Sequence, residues 1–156
     1  ASVDSLFSIP DFRISEKVLS LLLRLRSMAK RNFLIQSRHQ SYKLWQYALG
    51  GNLIDFYREE IKLRKSLNYP PFSILIKITL KGQKRSVEKE MEKLTEFLRE
   101  YNPTVYSAFI SQVKGKHIMH ALIKQPSESW PDAELVSKLL SLSPKFMIKV
   151  DPETIL

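Results

Sequence analysis

Chemistry in this sequence has to come from basic and aromatic side chains, because the usual catalytic and metal-binding sets are missing. The four glycines, at 50, 51, 82 and 115, never complete the G-x-x-x-x-G-K-[ST] loop that cradles nucleotide phosphates, so the chain cannot hold ATP alone. There is no cysteine, which removes thiol nucleophiles, disulfides and cysteine-ligated zinc. His39, His117 and His120 are the only histidines, and the last two stand three apart on a predicted strand, pointing to opposite faces rather than to one ion. No metal site and no catalytic residue is assigned to this chain. Two basic groupings remain. Lys114, Lys116, His117 and Lys124 sit on or beside a predicted hairpin with Tyr106 and Phe109, and no acid occurs from Tyr101 to Ser127. Such lysines neutralise phosphates while rings stack on unpaired bases. Nearer the start, eight Lys or Arg between Arg13 and Lys43 face a single acid, Glu16, and Arg24, Arg26, Lys30 and Arg31 are the phosphate-contact candidates there. The same residues also fit a plainer account, a solvated helix face and an ordinary polar turn between ordinary strands, and the sequence leaves both open.

The charge balance agrees with the first account. The chain has 156 residues with a formal net charge of +9, a surplus that favours a polyanionic partner such as nucleic acid. Its 44% hydrophobic content is enough for a core. No apolar run approaches the ~20 residues that span a bilayer, and the first residues lack the order of a signal peptide, so a cytoplasmic protein without a membrane role is expected.

The elements that must position these residues follow from periodicity. Between Asp11 and Arg31 the apolar residues Ile14, Val18, Leu21, Leu22, Leu25, Met28 and Ala29 recur at helical spacing, with Asp11 as a cap, and Phe33 to Gln36 reads as a short strand. Ser41 to Leu49 is a short spacer helix stopped by Gly50 and Gly51. The stretch from Asn52 to Phe72 predicts one capped helix that stops by about Asn68. Asn52 and Asp55 open it, Glu60 and Arg64 form an i,i+4 pair between two apolar sides, and Pro70 and Pro71 force an extended exit. These four residues, Glu60, Arg64, Pro70 and Pro71, are read as structural. Beyond them the order is strand, helix over 84–101, hairpin, helix, strand, with Ile74, Ile76, Ile78 and Leu80 marking the inward face of the first strand. This βαββαβ order predicts an α+β, ferredoxin-like split domain in which two helices cover one face of an antiparallel four-stranded sheet and the other face stays open.

Several stretches resemble a known family. Phe56-Tyr57, Glu60-Ile61, Arg64 and Tyr69-Pro70-Pro71-Phe72 look like the start of the C-terminal domain of the PriA family of primosomal replication-restart helicases. Pro10-Asp11-Phe12-Arg13 and Glu16-Lys17 are similar to the end of that family's second, RecA-like motor lobe. The resemblance implies three regions: 1–36, a helix and strand left from that lobe; 37–69, a helical linker; and 70–156, the C-terminal α+β domain. In the family a Gln-x-x-Gly-Arg-x-Gly-Arg motif follows, whose arginines reach ATP phosphates. Here its Gln falls on Arg24, its glycines on Ser27 and Lys30, its first arginine on Met28, and only its last on Arg31.

What the resemblance implies is a DNA-binding segment of a replication-restart helicase, acting on branched or single-stranded DNA at stalled forks during primosome assembly. ATP and Mg²⁺ would be bound elsewhere in the parent, with Arg31 a remnant of the motor motif. Single-stranded-DNA-binding protein and primosome proteins are implied partners. The arginine with which the family receives the acidic tail of the former is replaced, however, in a stretch reading His117, Ile118 and Met119. The orphan N-terminal helix is expected either to fold back on the C-terminal domain or to pair with a second copy as a dimer. A stand-alone RNA-binding module and a protein-docking domain are the alternatives on the same topology.

Overall fold

The computed structural model describes residues 3–38, 41–113 and 115–156; the candidate Lys114 and His39 lie outside them. Contacts divide the chain into two compact units, Ala1–Leu63 and Arg64–Leu156.

The first unit is helical. After a 3-10 turn over Val3–Ser8, helix α1 runs Ile14–Met28. Asp11 prepares its start: the buried carboxylate accepts from the Arg13 amide at 3.1 Å and the Lys17 ammonium at 3.0 Å. Val18, Leu19 and Leu22 pack with Leu44, Trp45 and Ala48 of helix α2 (Lys43–Gly50) and with Phe56. The Phe7 ring meets Trp45 edge-on at 5.5 Å. Helix α2 is thus part of a core rather than a spacer. Two expectations are corrected. Helix α1 stops at Met28 instead of Arg31, because Ala29 turns extended, and Leu21, Leu25 and Met28 stay exposed at 42%, 45% and 70%. Residues 33–36 form no strand. Phe33 and Ile35 turn toward the core while Leu34 faces out, the alternation of a strand without a ladder to join.

Helix α3 (Leu53–Ser66) starts as its residues dictate. Asn52 Oδ1 accepts the Asp55 amide at 3.2 Å, and the Asn52 amide donates to the Asp55 carboxylate at 2.8 Å. Of the two apolar sides expected, the structure buries Phe56 with Glu60 and leaves Ile54, Tyr57, Ile61 and Leu63 on the surface.

The second unit begins with the exit from α3. Asn68 is left-handed (φ 53°), the Tyr69 amide donates to Arg64 O at 2.8 Å, and the Arg64 guanidinium donates to Pro70 O at 3.5 Å. Strand β1 follows, Ser73–Gly82, rich in the branched residues that favour a pleated surface. Helix α4 is Lys84–Phe97, with Val87, Met91 and Leu94 at helical spacing. The hairpin is β2 (Thr104–Val113) and β3 (Lys116–Pro126). Helix α5, Ala133–Leu140, is capped by Asp132, whose carboxylate accepts the Leu135 amide at 2.9 Å. Strand β4 is Met147–Val150.

The sheet is antiparallel throughout, in the order β2-β3-β1-β4, giving an α+β chain. Ile76, Ile78 and Leu80 of β1 and Ala121 and Ile123 of β3 meet Val87, Met91, Leu94 and Leu98 on one helix and Leu135 and Leu139 on the other. Each Val, Leu, Ile or Met side chain among them contributes about 1.5 to 3 kcal/mol when fully buried. The opposite face differs from expectation. It is partly covered: Lys77, Thr79 and His120 are buried at 7%, 8% and 5% exposure, because residues 151–156 run back across the sheet.

Candidate nucleic-acid interface

Alternation along each strand sets which residues share the face away from the helices. On β1 these are Lys77, Thr79 and Lys81, whose antiparallel partners on β3 are Leu122, His120 and Ile118. Across the other edge Lys149 of β4 pairs with Lys77 and Met147 with Thr79. Lys116, two residues before Ile118, falls on the same side. Beyond β3 the pairing slips. Ser107 opposes Met119, yet Gln112 opposes His117, so Ala108 to Ser111 bulge from the ladder and Phe109 and Ile110 stand 62% and 66% exposed.

The bulge makes one wall of an open groove of ≈ 420 Å³. Its floor is Thr79, Ile118 and His120; Lys77, Lys81 and Lys149 supply positive charge, and Phe109, Ile110 and Met147 supply apolar surface. None of the four strands contains Asp or Glu, whereas α4 carries Glu88, Glu90, Glu92 and Glu96, with Glu90 paired to Lys93 and Lys145. Charge is therefore segregated between elements: α4 is mixed and internally paired, the strands basic.

His120 shows how buried and positive the floor is. Its Nδ1 shares a hydrogen bond with Thr79 Oγ1 at 2.8 Å, and its ring lies 5.6 Å from that of Tyr106. Burial first, then the charges of Lys77 and Lys81, pull its pKa from 6.5 down to about 4, so it is neutral near pH 7. It belongs to the groove floor, and among the described residues no group of three or more His, Asp or Glu side chains is gathered as metal ligands would be.

The sequence-derived candidates scatter. Lys116 is exposed at the start of β3, and His117 is half-buried opposite Gly82 and Gln112. Lys124 shares that face by alternation but does not line the groove: its ammonium donates to Leu67 O at 2.8 Å, lies 3.8 Å from the Tyr69 ring centre and is held below the usual lysine pKa by burial. Tyr106 is half-buried, its hydroxyl donating to Ile155 O at 2.6 Å. Phe109 lies on the groove wall. Arg24, Arg26, Lys30 and Arg31 belong to the helical unit. There Arg24 is exposed on α1, Lys30 and Arg31 are exposed beyond its end, and the Arg26 guanidinium donates to Ala48 O at 3.3 Å, tying α1 to α2. Sequence reasoning missed Lys77, Lys81 and Lys149. The i,i+4 spacing of the first two on a strand was a visible signal; the pairing of Lys149 with Lys77 was not.

Comparison with known proteins gives the chain its relatives. No family model matches it. It is 33% identical over 102 residues to a protein of Borreliella burgdorferi, covering 59% of this chain and 16% of that one. It is 28% identical over 161 residues to one of Thermotoga maritima, 98% of this chain and 22% of that one. With one of Chlamydia pneumoniae it shares 30% identity over 168 residues, 97% of this chain and 22% of the relative. All three are named Replication restart protein PriA, and the chain spans about a fifth of their length. The chain is a homologue of the PriA replication restart proteins, and the match is consistent with a C-terminal fragment of one.

Proposed function

We propose that this chain is the DNA-binding, C-terminal segment of a replication-restart protein, and that it holds single-stranded or branched DNA on the basic face of a ferredoxin-like sheet. The observation that carries the reading is the groove in which Lys77, Lys81 and Lys149 converge beside an exposed Phe109, on strands without a carboxylate. Lysines at strand spacing suit phosphates, which position the strand without reading its sequence, and Phe109 offers a ring to an unpaired base. Lys116 extends the same side toward the hairpin tip, where Lys114 stands in the sequence. The order β2-β3-β1-β4 is the one a split βαββαβ domain requires. Arg24, Lys30 and Arg31 are a second set of phosphate contacts, on the helical unit. Nucleotide and Mg²⁺ chemistry would belong to other parts of the parent, and with one arginine of the motor motif retained the parent would bind DNA without unwinding it.

The test is fluorescence anisotropy of the chain with fork, single-stranded and duplex DNA and a structured RNA, each at two salt concentrations. Fork or single-strand preference is expected, with affinity falling steeply with salt. Replacing Lys81 and Lys149 by alanine together should weaken single-strand binding about tenfold and lower the salt slope by about 1.5. Tighter binding to the RNA, or no change in the double variant, would overturn the assignment.

A further inference from the structure

The acids missing from the strands reappear immediately after them. Residues 151–156 read Asp-Pro-Glu-Thr-Ile-Leu, and they lie on the basic face just described. Asp151 is left-handed (φ 52°), which turns the chain out of β4, and its amide donates to Leu75 O at 2.7 Å. Pro152 is buried. From there the segment crosses β1, where the Lys77 ammonium donates to Thr154 O and Leu156 O, both at 2.8 Å. It reaches the β2 side, where the Tyr106 hydroxyl holds Ile155 O. Leu156 closes one end of the groove, and Asp151 and Glu153 flank a hollow of ≈ 360 Å³ lined by Lys77 and Lys149.

We infer that residues 151–156 are an autoinhibitory strap, which occupies the cationic face in cis and must be displaced by a nucleic-acid strand. The inference rests on the reading of that face as a DNA surface and deepens it. The strap presents what a phosphate backbone presents: oxygen acceptors to Lys77, and carboxylates, those of Asp151 and Glu153, in the hollow that Lys149 also lines. Beyond its root at Asp151, the Lys77 ammonium and the Tyr106 hydroxyl hold the segment by its backbone carbonyls, and none of residues 151–156 is part of a strand. An equilibrium between strapped and open faces lowers apparent affinity by the fraction that is open. Displacement also frees one more ammonium for a phosphate.

The test compares the intact chain with a chain truncated after Pro152, using a labelled single-stranded oligodeoxynucleotide across a range of salt. The truncated chain should bind about tenfold tighter. Its plot of log affinity against log salt should steepen by about 0.7, the release expected when Lys77 joins the contact. Tyr106→Phe, which keeps the ring and removes the hydroxyl, and Glu153→Gln should each tighten binding about threefold in the untruncated chain, covering the case in which truncation unfolds the sheet. Amide exchange at Ile155 and Leu156 should quicken when the oligonucleotide saturates the intact chain. Binding that is indifferent to all three changes overturns the strap and leaves the DNA surface standing. Absence of binding in the intact chain and in every variant removes both.

Discussion

The helical unit and the sheet unit bury their apolar residues to different extents, although both look equally amphipathic on paper. In the helical unit, Val18, Leu19 and Leu22 are covered while Leu21, Leu25 and Met28 of the same helix are not, and α3 leaves Ile54, Tyr57 and Ile61 exposed. In the sheet unit, Leu75 through Leu80 are all buried, on both faces of one strand. A helix can satisfy its own backbone before it finds a packing partner, so its stripe can outrun the surface available to cover it. A central strand exists only when both neighbours are in register, and register commits its side chains at the same time.

That contrast can be broken by mutation. Ile78→Ala, in the sheet core, should cost about 3 to 4 kcal/mol in urea-induced unfolding, the usual range for a cavity under two helices. Leu25→Ala should cost under about 1 kcal/mol, since the side chain is 45% exposed. Equal losses would show that the α1 stripe is covered in solution.

A somewhat smaller effect sharpens the account of the second face. The folded state holds His120 neutral down to about pH 4, while the unfolded chain takes up its proton near 6.5. Between those values the unfolded state binds more protons, so stability is complete above about pH 6.5 and falls as the pH drops toward 4. The loss should be on the order of 2 to 3 kcal/mol. Denaturant titrations across that window should show it in the parent chain and lack it in His120→Gln; parallel curves would place the imidazole in water.

The smallest contrast lies between neighbouring glycines that end α2. Gly51 has φ 68°, and a side chain there would meet the Arg26 guanidinium at 2.9 Å. Gly51→Ala should destabilise by about 1 kcal/mol. Gly50 has open space around it and closes the helix, so Gly50→Ala should be neutral or stabilising by up to about 1 kcal/mol. Thermal melts of the two variants should therefore shift in opposite directions or by clearly different amounts.

Legibility follows the range of the interaction. The Asn52 cap, the start of the helix at residue 84 and the alternation of Ile76, Ile78 and Leu80 are local, and each is present where the sequence placed it. Residues 33–36 alternate like a strand and form none, because pairing is supplied by other segments. Lys124 and Arg26 read as free cations in the sequence, and the fold turns one to Leu67 O and Tyr69 and the other to Ala48 O. Phe109 was visible as an aromatic beside basic residues, but its exposure comes from the bulge opposite Ile118, which no alternation pattern announces.

By itself the sequence determined the chemical class of the chain: basic, without cysteine or a phosphate loop, with helices and strands in an order that fits an antiparallel α+β sheet. These are properties of composition and of contacts between near neighbours, which side-chain size, polarity and backbone preference settle within a few residues. Tertiary structure alone decided that Lys77, Lys81 and Lys149 share one groove, that His120 is buried beside them, and that residues 151–156 cross the face expected to stay open. Each of those facts depends on strand register between segments tens of residues apart, and register is set by the packed core as a whole rather than by any residue in the site.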